Sequence, residues 1–141
     1  MNRIIRGLGI GSAALACVVM SSSGASALET AHGKKYKGCT NYVAVWRSGG
    51  KVHAYSRQLC DKPILIQRPT VALSGNGGKT FVSAGKACSK ARSCTTKTVS
   101  VKATKGWTYR GSNSGTGSQG SPKDSDYWPV SSVAHATYKY K

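Results

Sequence analysis

Residues 39–60 read CTNYVAVWRSGGKVHAYSRQLC, and small apolar side chains recur at every second position on both sides of Gly49-Gly50. A period of two marks a strand with one face covered. A Gly-Gly pair between two such runs is a two-residue hairpin turn. Opposite residues in this hairpin have numbers summing to 99: Arg47 with Val52, Val45 with Ala54, Val43 with Ser56. Carried outward, Cys39 falls opposite Cys60. Counting from the turn makes that a non-hydrogen-bonded position, where side chains approach most closely and a cross-strand disulfide fits.

Downstream, a short apolar run at 64–66 lies between Pro63 and Pro69, and runs at 70–73 and 80–83 flank the turn signal SGNGGK. In TKTVSVKA, Val99, Val101 and Ala103 share one face while Thr98, Ser100 and Lys102 share the other. A further run at 107–110 follows the TKG turn. The closing SSVAHATYKYK alternates again, with Ala134, Ala136, Tyr138 and Tyr140 against Val133, His135, Thr137 and Lys139. No segment after residue 27 sustains a helical period. About seven short strands with turn signals roughly every ten residues predict an all-β fold: a small antiparallel β-sandwich, immunoglobulin-like or similar. One domain over residues 39–141 is expected. Residues 28–38, with HGKKYKG, read as a loose basic N-terminal arm. Residues 111–126, GSNSGTGSQGSPKDSD, read as a flexible Ser/Gly insertion, with a mobile binding loop or cleavage site as the functional alternative. Asp124 and Asp126 are too few acids for a calcium cage.

The N-terminus changes the chemical setting. Arg3 and Arg6 precede an uncharged, mostly apolar run at 7–20, and Ala25-Ser26-Ala27 offers the small-x-small pattern of a cleavage site. Residues 1–27 therefore read as a secretory signal peptide. ALAC at 14–17 faintly resembles a lipoprotein box, but Ala14 fits it poorly and the apolar run continues past Cys17. Cleavage after Ala27 leaves 114 residues with no further membrane span, expected to be secreted and extracellular. Four cysteines remain: Cys39, Cys60, Cys88 and Cys94. An even count in a short exported chain implies a disulfide framework. Zinc-ligand spacing and a C-x-x-C redox motif are both absent, so no metal or cofactor is implied. With Cys39 paired to Cys60, Cys88 and Cys94 close a small loop.

Residues 28–141 hold 19 Lys and Arg against four acids, a net charge of +15. Such a field attracts polyanions: anionic lipid headgroups, wall polymers, acidic polysaccharide, nucleic acid or an acidic protein partner. The cations are dispersed, the nearest to a cluster being Lys34, Lys35 and Lys37. Dispersion argues against sequence-specific nucleic-acid recognition. High charge also serves as a solubility device. The hairpin offers a sharper candidate. If Val43, Val45, Val52, Ala54 and the cysteines face the core, Tyr42, Trp46, His53, Tyr55 and Arg57 form an aromatic platform with a cation, suited to stacking on sugar rings or bases. The reverse placement buries Tyr42 and Trp46 under the second sheet, where large aromatics are more often found. Lys90 and Arg92, with Lys79 and Lys86, make a second basic region around the small disulfide loop.

Catalysis has little to work with, because no nucleophile or metalloprotease motif occurs and the carboxylates are few. The layout resembles small secreted proteins of actinobacteria with two disulfides. The order of hairpin bridge then short bridged loop is similar to that of neocarzinostatin-type apoproteins, which implies an immunoglobulin-like sandwich. Strong basic charge and a longer hairpin depart from that family, so no chromophore-binding role or functional residue follows from it. The expected function is that of a non-catalytic cationic binding protein acting on anionic extracellular surfaces or on a protein partner, as an antagonist or toxin-assembly subunit in one version. Two alternatives stand beside it. One is a small secreted nuclease or other hydrolase using His53 or His135; the other is a protease inhibitor presenting Lys90 or Arg92 from the 88–94 loop.

Overall fold

The computed structural model describes residues 27–120 and 133–141. Ten antiparallel strands form within them: β1 (Glu29–His32), β2 (Cys39–Ser48), β3 (Lys51–Arg68), β4 (Thr70–Gly75), β5 (Thr80–Gly85), β6 (Cys88–Thr95), β7 (Val99–Lys102), β8 (Thr108–Asn113), β9 (Thr116–Ser118) and β10 (Ala134–Lys139). They make two sheets. One is organised about the 18-residue β3. Along one edge of β3 lie β2 and then β9, along the other β7 and then β6, with β1 outside β2. The other sheet has the order β10-β8-β4-β5.

The hairpin forms in the expected register, from Ser48↔Lys51 out to Cys39↔Cys60. Gly49 and Gly50 take φ of 56° and 74°, the left-handed pair that a two-residue turn demands. Cys39 and Cys60 are bonded, with Cα atoms 4.0 Å apart. Val43, Val45, Val52 and Ala54 are fully buried against Val71, Leu73, Tyr109, Ala134, Ala136 and Tyr138 of the second sheet. Burying each Val or Leu is worth roughly 1.5–3 kcal/mol over leaving it exposed. Val99 completes the core from β7. Tyr109 is the largest fully buried side chain among the described residues. Its hydroxyl accepts from the Thr104 N–H (2.7 Å) and donates to the Lys102 carbonyl (3.1 Å), so burying it strands no polar atom.

Three expectations need correction. The N-terminal arm is not loose. Ala31 packs on the core while Thr30 and His32 pair outward beside Ala44 and Tyr42, so β1 satisfies the free edge of β2. Lys37 and Gly38 then turn tightly into β2 with φ of 47° and 77°. The Ser/Gly segment is also ordered as far as Ser118, with Gly111, Asn113, Gly115 and Gly117 buried in β8, β9 and their link. Its glycines and serines serve close approach between backbones, not slack; positions 121–126 lie outside the described residues. Finally, Cys88 and Cys94 are bonded, but the segment between them belongs to β6 and not to a free loop. An extended seven-residue strand would separate its ends by about 20 Å, whereas these Cα atoms are 5.8 Å apart. β6 therefore turns a corner, with Lys90 at φ 52°. β3 turns with it, since three extra residues are accommodated between Leu59 and Ile64. Pro63 sits in that corner, where no ladder N–H is required.

Candidate binding face

Because the Val and Cys side chains point inward, Tyr42, Trp46, His53, Tyr55 and Arg57 point away from the second sheet. They form one cross-strand array. The Trp46 and His53 rings stack with centroids 5.3 Å apart, and Tyr55 meets Trp46 edge-on at 5.9 Å. Arg57 lies opposite Tyr42, its guanidinium carbon 5.5 Å from the ring centre. Tyr42 and Trp46 are four residues apart, so the array is about 13 Å long. Its rings are half-buried by one another and remain open to solvent on one side.

Sequence reading missed His32. The pairing of β1 with β2 sets it beside Tyr42, ring centres 5.8 Å apart. Only that register could reveal it, since His32 lies ten residues from Tyr42 in the chain. Two shallow clefts open on either side of Tyr42. The first, about 200 Å³, is lined by Thr30, Ala44, Tyr55 and Arg57 among others. The second, about 390 Å³, is lined by His32, Lys34, Lys35 and Thr40. At the far end, Ser48, Lys51 and Lys102 form a polar, basic row.

The array is held from behind by a buried amide. Asn113 Nδ2 donates to the carbonyls of Tyr42 (3.0 Å) and Arg57 (3.2 Å), the two residues that face each other on the outside. Its Oδ1 accepts from the N–H groups of Gly115 (2.9 Å) and Thr70 (3.2 Å). Gln58 donates to Asn41 (2.9 Å), which donates to the Gly115 carbonyl (2.9 Å). Asn113 is bonded at both ends of its amide, and a buried amide so held fixes backbone geometry more tightly than apolar packing does, while Gln58 leaves its Oε1 without a partner.

The other candidates are dispersed. Lys34 and Lys35 border the array, but Lys35 Nζ is bound to Asp61 at 2.8 Å and 3.0 Å. Lys37 occupies the tight turn, its ammonium 5.9 Å from the Tyr36 ring centre. Lys90 and Arg92 project from the β6 corner. A substrate-like inhibitory loop needs an extended residue entering the protease pocket, and the left-handed Lys90 does not provide one. His135 lies on the outer face of the opposite sheet, paired across from Ser112, so it cannot act with His53 on one bound group. Its pKa is held below 6.5, first by partial shielding from water and then by the nearby Arg110 guanidinium. His53 Nε2 lies 3.1 Å from both the hydroxyl and the carbonyl oxygen of Ser48. A carbonyl can only accept, so the proton belongs on Nε2, and no lone pair remains there to activate the hydroxyl.

Family models, curated proteins and solved structures show no match to this chain. Its site must be judged on its own geometry. Among the described residues no group of three or more His, Cys, Asp or Glu could hold a metal ion, and no helix is long and apolar enough to cross a membrane. What the outer face can do chemically is stack: planar rings with a bordering guanidinium and ammonium groups suit a ligand carrying both rings and negative charge.

Proposed function

We propose that this is an exported, non-catalytic binding protein that holds an anionic glycopolymer of the extracellular surface against the outer face of its long hairpin. The observation that carries this reading is the outward array of His32, Tyr42, Trp46, His53, Tyr55 and Arg57 on a strongly basic chain. The aromatic rings supply stacking surface for sugar rings, and Arg57, Lys34 and Lys51 supply the counter-charge. Two disulfides and the absence of a membrane-spanning helix among the described residues suit an extracellular protein.

Affinity chromatography on immobilised heparin, on a purified polyol-phosphate wall polymer and on neutral dextran tests the reading. Retention is expected on the anionic matrices at low salt and not on dextran. Tyr42→Ala and Trp46→Ala should each weaken binding about tenfold, in line with roughly 1–3 kcal/mol per stacked ring, while circular dichroism stays unchanged. Wild-type affinity in both variants would remove the array as the site. Degradation of RNA or polymer that His53→Ala abolishes would replace binding with hydrolysis.

A further inference from the structure

Sheet edges need protection, because their outward N–H and C=O groups template pairing with any passing strand. Four of the edge strands carry a recognised safeguard. β1 and β7 are four residues long, the former with Glu29 and His32 and the latter with Lys102; β6 carries Lys90, Arg92 and a corner; β10 carries His135 and Lys139. β5 has none. Its six residues, TFVSAG, hold no charge and no proline, and Phe81 is 65% exposed.

The backbone polarity of β5 follows from one bond. Lys86 N–H donates to the Pro69 carbonyl at 3.1 Å. Antiparallel alternation then turns Thr80, Val82 and Ala84 toward β4, and presents the N–H and C=O of Phe81, Ser83 and Gly85 outward. None of these outward groups has a partner among the described residues. Lys79 and Lys86 stand at the two ends of the strand, about 24 Å apart along an extended chain. A second copy of this chain fits poorly. In the antiparallel register that matches outward groups, Ser83 faces Ser83 and Phe81 faces Gly85. Lys79 of one copy then lies one position from Lys86 of the other at both ends, and like charges brought so close destabilise a ladder.

We infer that β5 is a docking edge for an extended acidic segment of a partner protein, which adds to the β10-β8-β4-β5 sheet as a fifth strand. Main-chain bonds to Phe81, Ser83 and Gly85 supply the ladder. Phe81, two residues from Lys79, packs on an apolar side chain of the segment, and carboxylates toward the two ends of the segment meet Lys79 and Lys86. This surface is on the opposite sheet from the stacking array, so the protein can hold polymer and partner together.

The probe is a ten-residue peptide with two glutamates at each end and alternating threonine and valine between, followed by fluorescence anisotropy on the full-length protein at physiological salt. Saturable binding is expected. Ser83→Pro should weaken it at least tenfold, because it removes an outward N–H while sparing the bonds to β4. Lys79→Glu should weaken it at least threefold, and Trp46→Ala should leave it unchanged, which separates this edge from the polymer face. A peptide N-methylated at alternate bonds should not bind. Should Ser83→Pro fail to fold, slowed amide exchange at Phe81 and Ser83 on adding the parent peptide stands as the positive result. No saturable binding, equal binding by the N-methylated peptide, or unchanged exchange at these amides would overturn the inference.

Discussion

Gly111 shows how one residue can carry the packing of two sheets. A Cβ built there would lie 2.4 Å from Val45 Cγ2 and 3.2 Å from Val43 Cγ2, so β8 approaches the hairpin as closely as its backbone allows. Gly115 is as confined, with a Cβ 2.7 Å from the Pro69 Cα. Between them, Asn113 uses both ends of its amide to hold Tyr42 and Arg57 from beneath. Gly111→Ala should therefore destabilise the fold by about 1–3 kcal/mol through overpacking. Each kcal/mol lowers the melting temperature of a domain this size by roughly 4–8 °C. A melting temperature equal to wild type would show that the sheets can part at no cost.

Among the elements, the hairpin and the β3–β6 corner differ in what their disulfides do. Cys39–Cys60 closes a long loop across a register that Gly49-Gly50 already dictates. Cys88–Cys94 joins the two arms of a bent strand, a geometry no turn sequence enforces. The chain-entropy model gives roughly 3.4 kcal/mol for the first and roughly 2.4 kcal/mol for the second. Replacing Cys39 and Cys60 by Ala should accordingly cost more in urea unfolding, with hairpin amides still protected. Replacing Cys88 and Cys94 should instead speed amide exchange locally, over β6 and the facing part of β3. Uniform loss of protection in the second variant would mean that the corner folds only as part of the whole.

At the scale of the molecule, the 19 Lys and Arg of residues 28–141 against four acids set a field that no single contact explains. If that field delivers an anionic polymer to the array, log affinity should fall linearly with log salt, as counterions leave the polymer. Arg57→Glu and Lys34→Glu should flatten that line. Lys35→Glu should flatten it less, since Lys35 is already occupied by Asp61. Trp46→Ala should lower the line with little change of slope, because ring stacking releases no counterions. A slope unaffected by either charge reversal would locate polymer binding away from this face, and the salt series on heparin measures it directly.

The hairpin register, the Cys39–Cys60 and Cys88–Cys94 pairings and the two-layer all-β class were determined by sequence alone. Each rests on local rules: a period of two, a Gly-Gly turn and an even cysteine count. Alternation also separated the Val/Cys face from the Tyr/Trp face, since neighbours on a strand must point to opposite sides. Which face met the other sheet was a tertiary decision. Composition favoured burying Trp46, but the small inward face of Val43, Val45, Val52 and Ala54 is the one that lets Gly111 and Tyr109 pack close. The β1 strand, the place of His32 and the order of residues 111–118 were decided at the same level. Polar, glycine-rich segments acquire strand structure only when a partner edge and a buried amide such as Asn113 satisfy their backbone groups, and those partners are distant in the chain.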